Sequence, residues 1–323
     1  MTTRLADGEQ TRGGLRASVV VPAYNAAALV GSCVAGLQRQ CFPAAAFEVV
    51  VVDDGSTDGT SEVAQSAPGP VTVRIVRNET NRGRAAARNR GIEASRGDVI
   101  VFLDGDSVPH ERLVEEHVAV HDTAPNLMVA GRVIAVPSVE AIPEARYRLT
   151  DFSANSFDTG NASVRREHLV RVGLFDESFT GYGWEDSELG RRLRVAGLRP
   201  AQAPRAISFD VTPPSRAVDV AALERRERER AAMARLYVRK HPLRRVRAST
   251  CVGLPYSLIP RLLDPLGLGK TRWLRGLLAR RAGGPQDWLT GVLLSWYAYV
   301  FYVREVNRRD RPGPPAGPEA AGG

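Results

Sequence analysis

Long unbroken runs of hydrophobic residues alternate, in the first third of the chain, with segments whose hydrophobic residues recur every three or four positions. The first run, ASVVVPAYN, precedes a segment with helical apolar spacing from Leu29 to Leu37, which predicts a strand, a turn and a helix. FEVVVVDDGSTDGTSEVAQSA repeats this order, VTVRIVRNE predicts a third strand, RAAARNRGIEASRG a helix, and DVIVFLD a fourth strand. Apolar strands that alternate with helices are typical of a parallel sheet covered on both faces. The pattern therefore predicts an α/β fold with ligands at the carboxyl ends of the strands.

Polar side chains follow three of these strands. Asn25 follows the first strand, Asp53 and Asp54 the second, and Asp104 and Asp106 the fourth. Residues i and i+2 of an extended chain point to the same side, so Asp104 and Asp106 would repel each other by roughly 1 to 3 kcal/mol. A divalent cation removes that cost, since Mg2+ is typically held by one or two carboxylates and substrate phosphates. The alternative is a solvated Asp-Gly turn at the strand end.

Composition and motifs exclude several classes of protein. The 323 residues are 43% hydrophobic and 25% charged, as in ordinary globular proteins. Three cysteines without C-x-x-C spacing argue against a disulfide framework or a structural zinc site. No G-x-G-x-x-G follows the first strand and no G-x-x-x-x-G-K-[ST] occurs, so phosphate would be held by a metal and side chains. Residues 1–16 and 311–323 are expected to be disordered, and the lack of an apolar signal segment predicts a cytoplasmic chain.

Four segments resemble the N-terminal blocks of glycosyltransferase family 2, which are inverting enzymes of the GT-A fold that use nucleotide-diphospho-sugars. They are VVVPAYN, VVDDGSTDGT, NRGRAAARNRGI and FLDGDSVP, in the family's order. Residues Thr159 to Leu198 are similar to the C-terminal block of galactosyltransferase-like members. The resemblance implies a GT-A domain over residues 17–215, with a nucleotide-binding sheet covered by helices on both faces.

On the donor side, the resemblance implies a nucleotide pocket and a metal site. The pocket would be formed by Pro22, Tyr24, Asn25, Asp54, Arg84 and Asp104. Asp54 would accept the N–H of the base, and Asp53 could equally be a structural cap. Arg84 or Arg88 would face the base or the phosphate, the alternative being solvated arginines on an Ala-rich helix. Asp104 and Asp106 would hold Mn2+ or Mg2+ against the diphosphate, where the metal neutralises charge on the leaving group.

On the acceptor side, the resemblance implies that Asp186 is the base that deprotonates the acceptor hydroxyl. A single base without a second nucleophile gives inversion. Tyr182, Trp184 and Glu185 would contact the acceptor. The alternative for Glu185, Asp186 and Glu188 is an acidic first helical turn, which the helix dipole favours.

Two features depart from the family's pattern. GYGWED stands in place of G-W-G-G-E-D, so that Trp184 occupies a glycine position and is expected to narrow the acceptor pocket. Many relatives supply a histidine metal ligand after this block, yet no histidine lies between His168 and His241. Asp210 is the nearby substitute.

Beyond the resemblance the chain becomes richer in arginine. Residues 216–240 carry interleaved Glu and Arg at i to i+4 spacings, which predicts an exposed, charged helix. Residues 241–310 predict an amphipathic helical extension, whose apolar run from Trp288 to Val303, about 16 residues, is shorter than the roughly 20 that span a bilayer. Its aromatic residues and arginines favour contact with an anionic membrane surface on the inner face of the cell membrane. Packing into the core or a dimer interface is the alternative.

The sequence as a whole predicts inverting, metal-dependent transfer of a sugar from a nucleotide-diphospho-sugar, with UDP-sugars ranked first, to a glycan or lipid-linked acceptor. One rival is a sugar-phosphate nucleotidyltransferase, but the G-x-G-T-R turn that usually opens such chains is absent. Another is a nucleic-acid-binding protein, which the net charge of +8 would suit. Because arginines mix with aromatic residues only in the C-terminal segment, no nucleic-acid partner is expected. The oligomeric state is left open.

Overall fold

The structure, a computed structural model, describes residues 14–146, 151, 157–212, 219–254, 256–258, 262, 276, 278 and 288–308, and only the backbone of 288–290. The chain divides into two compact units. Unit 1 comprises Met1–Thr180 and Trp184–Pro214, and unit 2 comprises Gly181–Gly183 and Ser215–Gly323. The two ends predicted to be disordered lie outside the described residues except for 14–16, where the Leu15 carbonyl accepts from Asp98 N at 3.2 Å.

Unit 1 contains eight strands and six α-helices among its described residues. The strands are β1 Ala17–Ala23, β2 Phe47–Asp53, β3 Thr72–Arg77, β4 Val99–Leu103, β5 Ser107–Pro109, β6 Leu127–Val136, β7 Asn161–Arg165 and β8 Arg199–Val211. The helices are α1 Ala27–Gln38, α2 Thr60–Gln65, α3 Arg84–Ala94, α4 Leu113–Thr123, α5 Arg166–Val172 and α6 Glu185–Val195.

All eight strands form one sheet in the order β3-β2-β1-β4-β7-β6-β8-β5. Strands β3, β2, β1 and β4 are parallel, as the alternation of predicted strands and helices along the chain indicates. Strand β7 is antiparallel to β4, and β5 is antiparallel to β8. The predicted parallel sheet therefore covers the first four strands only, and the rest of the sheet is mixed.

Helices cover both faces of this sheet, which confirms the predicted α/β class. Successive residues of a strand point to opposite faces. Val19 and Val21 accordingly belong to the cluster formed with α1, α2 and α4, whereas Val20 belongs to the cluster formed with α3 and α6. The continuous apolar run of β1 thus supplies side chains to two separate cores.

Helix α3 lies unusually close to the sheet. Ala85, Ala86 and Ala87 are buried, and a Cβ at Gly91 would lie 2.3 Å from Val20 Cγ1. A glycine is therefore required at this crossing. Arg88, the next residue after the alanines, is also buried and is 2% exposed.

A chain of polar side chains lies buried between α4 and β7. His121 Nε2 donates to Ser163 Oγ at 2.9 Å, and Ser163 Oγ donates to His117 Nδ1 at 2.8 Å. His117 Nε2 then donates to Asn161 Oδ1 at 2.8 Å, because the Asn161 amide nitrogen already donates to two carbonyls. Burial lowers the pKa of His117 to about 4 and, with the charge of His117 and Arg165, that of His121 to about 3. Both rings are therefore neutral at pH 7.

Unit 2 contains helices α7 Val220–Lys240, α8 Arg244–Ser249 and α9 Trp288–Val306 among its described residues. α7 lies at residues predicted to form a charged helix, but Glu224 and Glu227 are buried. Tyr297 of α9 donates to Glu224 Oε1 at 2.6 Å, and Tyr302 is also buried. Helix α9 therefore packs within unit 2, which was the alternative to membrane contact. No helix among the described residues is both long and apolar enough to cross a membrane.

Candidate active site

A cavity of about 270 Å³ opens at the carboxyl ends of β1, β2 and β4 and the start of α3. It is lined by Pro22, Ala23, Tyr24, Ala26, Asp54, Asn81, Gly83, Arg84, Ala87, Asp104, Gly105 and Asp106. The parallel register brings these strand ends together, since Ala23 pairs with Asp53 and Val20 with Phe102. Five of the six residues predicted for the nucleotide pocket thus line one cavity, and Asn25 is the exception.

Asn25 and Asp53 hold the turns beside the cavity. Asn25 Oδ1 accepts from Thr57 N at 3.0 Å, and Asn25 N donates to Ser56 Oγ at 2.9 Å. The buried Asp53 accepts from Ser56 N at 2.8 Å and from the Ser61 hydroxyl. Burial tends to raise the pKa of Asp53, but these hydrogen bonds and Arg77 outweigh it and lower the pKa. Asp53 is the structural cap that the sequence left as an alternative.

Asp54 holds the loop that precedes α3. Its carboxylate accepts from Asn78 Nδ2 at 2.8 Å, from Arg82 N at 3.0 Å and from Gly83 N at 2.9 Å. Asp54 is 4% exposed, yet it also lines the cavity. The structure gives Asp54 a role in fixing the loop, and its contact with a base stays a prediction.

Asp104 and Asp106 line the cavity, and Asp210 lies next to their turn. Strand β5 pairs Ser107 with Asp210, and Val211 N donates to the Asp106 carbonyl at 3.2 Å, so that Asp210 lies beside the Asp-Gly-Asp turn. Burial and then the charges of Asp104 and Asp210 raise the pKa of Asp106, while Arg84 opposes the rise. Burial and the charge of Asp104 raise the pKa of Asp210 as well. Each of these carboxylates makes the ionisation of the others less favourable, and a bound cation would remove this repulsion.

The residues present fit a divalent metal that shares its coordination with a substrate. Oxygen ligands suit Mg2+ and Mn2+, and Mg2+ is usually bound through one or two carboxylates plus phosphate. Within the described ranges, no three His, Cys, Asp or Glu side chains are gathered closely enough to hold a metal by themselves. Asp104 and Asp106 would therefore depend on the diphosphate, because Asp210, the substitute for a histidine ligand, does not complete a three-residue ligand set with them.

The sequence suggested that Arg88 either faces the base or the phosphate or is solvated. In the structure it does neither, because it does not line the cavity and is buried. It is 2% exposed, and its Nη1 donates to Glu185 Oε1 at 2.9 Å while Nη2 donates to Asp104 Oδ1 at 3.2 Å. Burial tends to lower the pKa of Arg88, but Asp104, Glu185 and Asp186 outweigh burial and raise it. Glu185, predicted to contact the acceptor, is instead buried against this guanidinium. Arg84, on the same helix, is exposed and lines the cavity.

Asp186 occupies the first turn of α6, one residue after Glu185. Its Oδ1 accepts from Ser187 N at 2.6 Å. Burial, followed by the charges of Glu185 and Asp158, raises the pKa of Asp186 to about 7, although Arg88 opposes the rise. Asp158 was missed by the sequence analysis. The sequence Asp-Thr-Gly from Asp158 to Gly160 is typical of a turn and was the signal available.

Comparison with family profiles agrees with this geometry. Residues 18–174 match the profile described as glycosyl transferase family 2, and residues 141–215 match the profile described as the N-terminal domain of galactosyltransferase. Residues 18–174 thus form a glycosyltransferase family 2 domain. The family 2 and galactosyltransferase profiles overlap and together extend from β1 to the end of β8, and so include Asp104, Asp106 and Asp186.

Two bacterial glycosyltransferases are similar to this chain in sequence. YfnE of Bacillus subtilis (strain 168), an uncharacterized glycosyltransferase, is 30% identical over 243 residues, covering 57% of this chain and 62% of the relative. The validoxylamine A glucosyltransferase of Streptomyces hygroscopicus subsp. jinggangensis is 34% identical over 218 residues, covering 56% of this chain and 52% of the relative. The chain thus spans little more than half the length of these relatives.

Solved structures share the fold at lower sequence identity. The mannosyltransferase PcManGT from Pyrobaculum calidifontis, in complex with GDP-Man and Mn2+, superimposes with a TM-score of 0.61 at 21% identity over 90% of this chain and 87% of that chain. S. aureus TarS 1-349, in complex with UDP, gives a TM-score of 0.53 at 18% identity over 90% and 89% of the two chains. These likenesses confirm the predicted GT-A fold.

Trp184, which departs from the pattern of galactosyltransferase-like members, has an unusual backbone conformation. Trp184 has φ 76° and ψ −12°, a left-handed conformation that glycine adopts without penalty. For other residues this conformation costs roughly 1 to 2 kcal/mol. The backbone at Trp184 therefore has a conformation that a glycine would adopt without this cost. That the indole narrows an acceptor pocket stays a prediction.

Tyr182 belongs to unit 2, where α7 holds it. The guanidinium of Arg226 lies 5.0 Å from the centre of the Tyr182 ring, and Gly181 N donates to Met233 Sδ at 3.4 Å. A cation over the face of an aromatic ring attracts the ring and so stabilises the position of the ring. The segment before Trp184 is thus fixed by side chains of α7, and contact of Tyr182 with an acceptor stays a prediction.

Proposed function

We propose that this chain transfers a sugar from a nucleotide-diphospho-sugar to a hydroxyl group, and that the donor is a UDP-sugar. The observation that supports this function is the meeting of Asp104 and Asp106 with Pro22, Tyr24 and Arg84 around one cavity. The glycosyltransferase names of the relatives, and the GDP-Man and UDP in the solved structures, support the same class of donor.

Each side of the cavity would bind a different part of the donor. Tyr24 is 51% exposed and offers its ring to the base. Arg84 supplies a positive charge near Asp106. Asp104 and Asp106 would hold Mn2+ or Mg2+, which supplies Lewis-acid stabilisation of the charge that grows on the leaving diphosphate.

Asp186 would act on the acceptor. Its carboxylate would take the proton of the acceptor hydroxyl while the hydroxyl oxygen bonds to the anomeric carbon and the bond from that carbon to the diphosphate breaks. A general base works best with a pKa near the operating pH, and the pKa of about 7 at Asp186 meets that condition. One base and one displacement invert the anomeric centre.

A glycan or a lipid-linked sugar would be the acceptor, and α8 is the part of unit 2 best suited to an anionic membrane surface. Arg244, Arg245 and Arg247 are exposed, and the neighbouring Leu243 and Leu254 are 41% and 81% exposed. Each basic residue near such a surface contributes about 1 kcal/mol of attraction. This surface replaces the aromatic residues of α9 as the candidate contact, because two of those rings are buried in unit 2.

Asp186→Asn tests the proposed function. We expect nearly normal binding of the donor and a fall in transfer of about 10² or more, because the base acts on the acceptor. Glu188→Gln is the matched control, since it removes another acid from the first turn of α6 and should retain transfer. A parallel fall of donor affinity and rate in Asp186→Asn would place the base elsewhere. Equal losses in both variants would support the acidic-helix-turn interpretation.

A further inference from the structure

One buried arginine joins two carboxylates that are far apart in the sequence. Arg88 bonds to Asp104, which follows β4, and to Glu185, which begins α6. The guanidinium also lies 5.7 Å from the centre of the Phe175 ring. Arg88 therefore connects the proposed metal side of the cavity to the helix that carries the proposed base.

The backbone around Arg88 is itself held in place. The next residue, Asn89, donates to the Phe175 carbonyl at 2.9 Å and accepts from Phe175 N at 2.8 Å. Together with the close packing of Gly91 on Val20, these bonds fix the part of α3 that directly follows Arg88. An arginine placed this rigidly can restrict the orientation of the carboxylates it binds.

Glu185 is bound to Arg88 and lies away from solvent. Its residue exposure is 4%, and its second oxygen, Oε2, is buried with no hydrogen-bond partner in the described part of the chain. A buried charge is stable only when it is paired. The charge of Glu185 therefore neutralises Arg88, and an acceptor hydroxyl has no open path to this carboxylate.

We propose that Glu185 and Arg88 are positioning residues for Asp104 and that Glu185 acts on the metal side of the site and not as an acceptor ligand. This inference rests on the proposed metal role of Asp104. Arg88 holds Asp104 by Oδ1, and Glu185 cancels the positive charge that would otherwise repel a cation there. The pair thus orients the metal-binding carboxylate without adding net charge.

Glu185→Gln tests whether Glu185 supports metal binding or contacts the sugar acceptor. Glutamine keeps the shape of the side chain and an oxygen that can accept a hydrogen bond from Arg88, but it removes the neutralising charge. The probe is Mn2+, titrated with and without UDP, with free Mn2+ measured by electron paramagnetic resonance and no acceptor present. Loss of a partner that supports a metal ligand typically weakens metal affinity 10- to 100-fold, and we expect a loss of about that size. Glu188→Gln, which removes the charge that pairs with Arg192 on the same helix, should bind Mn2+ like the wild type.

Arg88→Lys is the second variant, because lysine keeps the charge but cannot bridge two carboxylates with a planar fork. It should also weaken Mn2+ binding. Unchanged Mn2+ affinity in both variants, or a rise in the KM for acceptor alone in Glu185→Gln, would overturn the proposal. Loss of the fold in both variants would also overturn it, since the pair would then serve stability alone. If Asp104→Asn with Asp106→Asn binds Mn2+ as well as the wild type, the proposed metal site itself is wrong.

Discussion

Replacing Asp158 by asparagine should move the acid limb of the pH–rate profile to lower pH. Burial, Glu185 and Asp158 together raise the pKa of Asp186 to about 7, from an ordinary value of 3.8. Because the base must be ionised to accept a proton, the rate should fall as pH drops below the raised pKa. Asp158→Asn removes one of the charges that oppose this ionisation.

The size of the effect follows from the raised pKa. A shift from 3.8 to about 7 corresponds to about 4 kcal/mol of interactions that disfavour the charged carboxylate. In the wild type, kcat/KM should fall about tenfold for each pH unit below 7, and at pH 5 should reach about 1% of its plateau. An aspartate with an ordinary pKa would lose almost nothing at pH 5.

Hydrolysis of the nucleotide-sugar, in which water replaces the acceptor hydroxyl, is a suitable assay over pH 5 to 8. Asp158→Asn should retain a larger fraction of its plateau at pH 5 than the wild type. Glu115→Gln, which changes a half-exposed acid on α4, is the control and should leave the limb unchanged. A flat wild-type profile over this range, or the same limb in Asp158→Asn, would refute the assignment of Asp186 as a base with a raised pKa.

Three further predictions concern stability and surface contact. Below pH 6.5 the unfolded chain binds protons at His117 and His121, whereas the folded chain keeps both rings neutral. The free energy of unfolding should therefore fall by about 2 kcal/mol per histidine between pH 7 and pH 5. Urea unfolding at both pH values checks this prediction, and equal stability would contradict it. Tyr297→Phe removes a hydrogen bond from the buried Glu224 and should cost about 1 to 3 kcal/mol in urea unfolding, whereas the same change at the exposed Tyr299 should cost much less; equal costs would contradict the burial argument. Full-length protein should sediment with anionic liposomes at low salt and dissociate as salt rises, and replacing the three exposed arginines of α8 by glutamate should prevent sedimentation; liposome binding that ignores both changes would exclude this surface.

The first half of the fold could be predicted because its strands are buried on both faces. Strands β1, β2 and β4 are continuous apolar runs, and each ends in the polar turn that the sequence placed at the cavity. Parallel strands meet at one edge, so Pro22, Asp54 and Asp104 could be assigned to a common site without knowledge of the fold's later strands.

The second half lacked such a signal. Strand β7 reads NASVR, and its buried Asn161 and Ser163 form hydrogen bonds with His117 and His121. Strand β5 has three residues, and β8 contains two prolines. These strands form because they pair with strands that are distant in the sequence, and the local periodicity of the sequence does not indicate such pairing.

The burial of Arg88 could not be predicted for the same reason. Its two partners lie 16 and 97 residues away, at Asp104 and Glu185. An arginine on an Ala-rich helix is ordinarily solvated, and only the approach of α6 reverses that expectation. The sequence could predict which acids surround the cavity. It could not predict that one of them, Asp104, is bound by the buried Arg88.

Metal-dependent binding of a nucleoside diphosphate tests the central claim most directly. The melting temperature of the wild type should rise when UDP is added with Mn2+, and UDP at about 100 times its Kd stabilises by about 2.7 kcal/mol, or roughly 5 to 10 °C for a domain of this size. Asp104→Asn with Asp106→Asn should abolish the Mn2+-dependent part of this rise. If UDP gives no rise, GDP and dTDP are tested in the same way. An unchanged rise in the double variant, or no rise with any of the three nucleotides, would contradict the account.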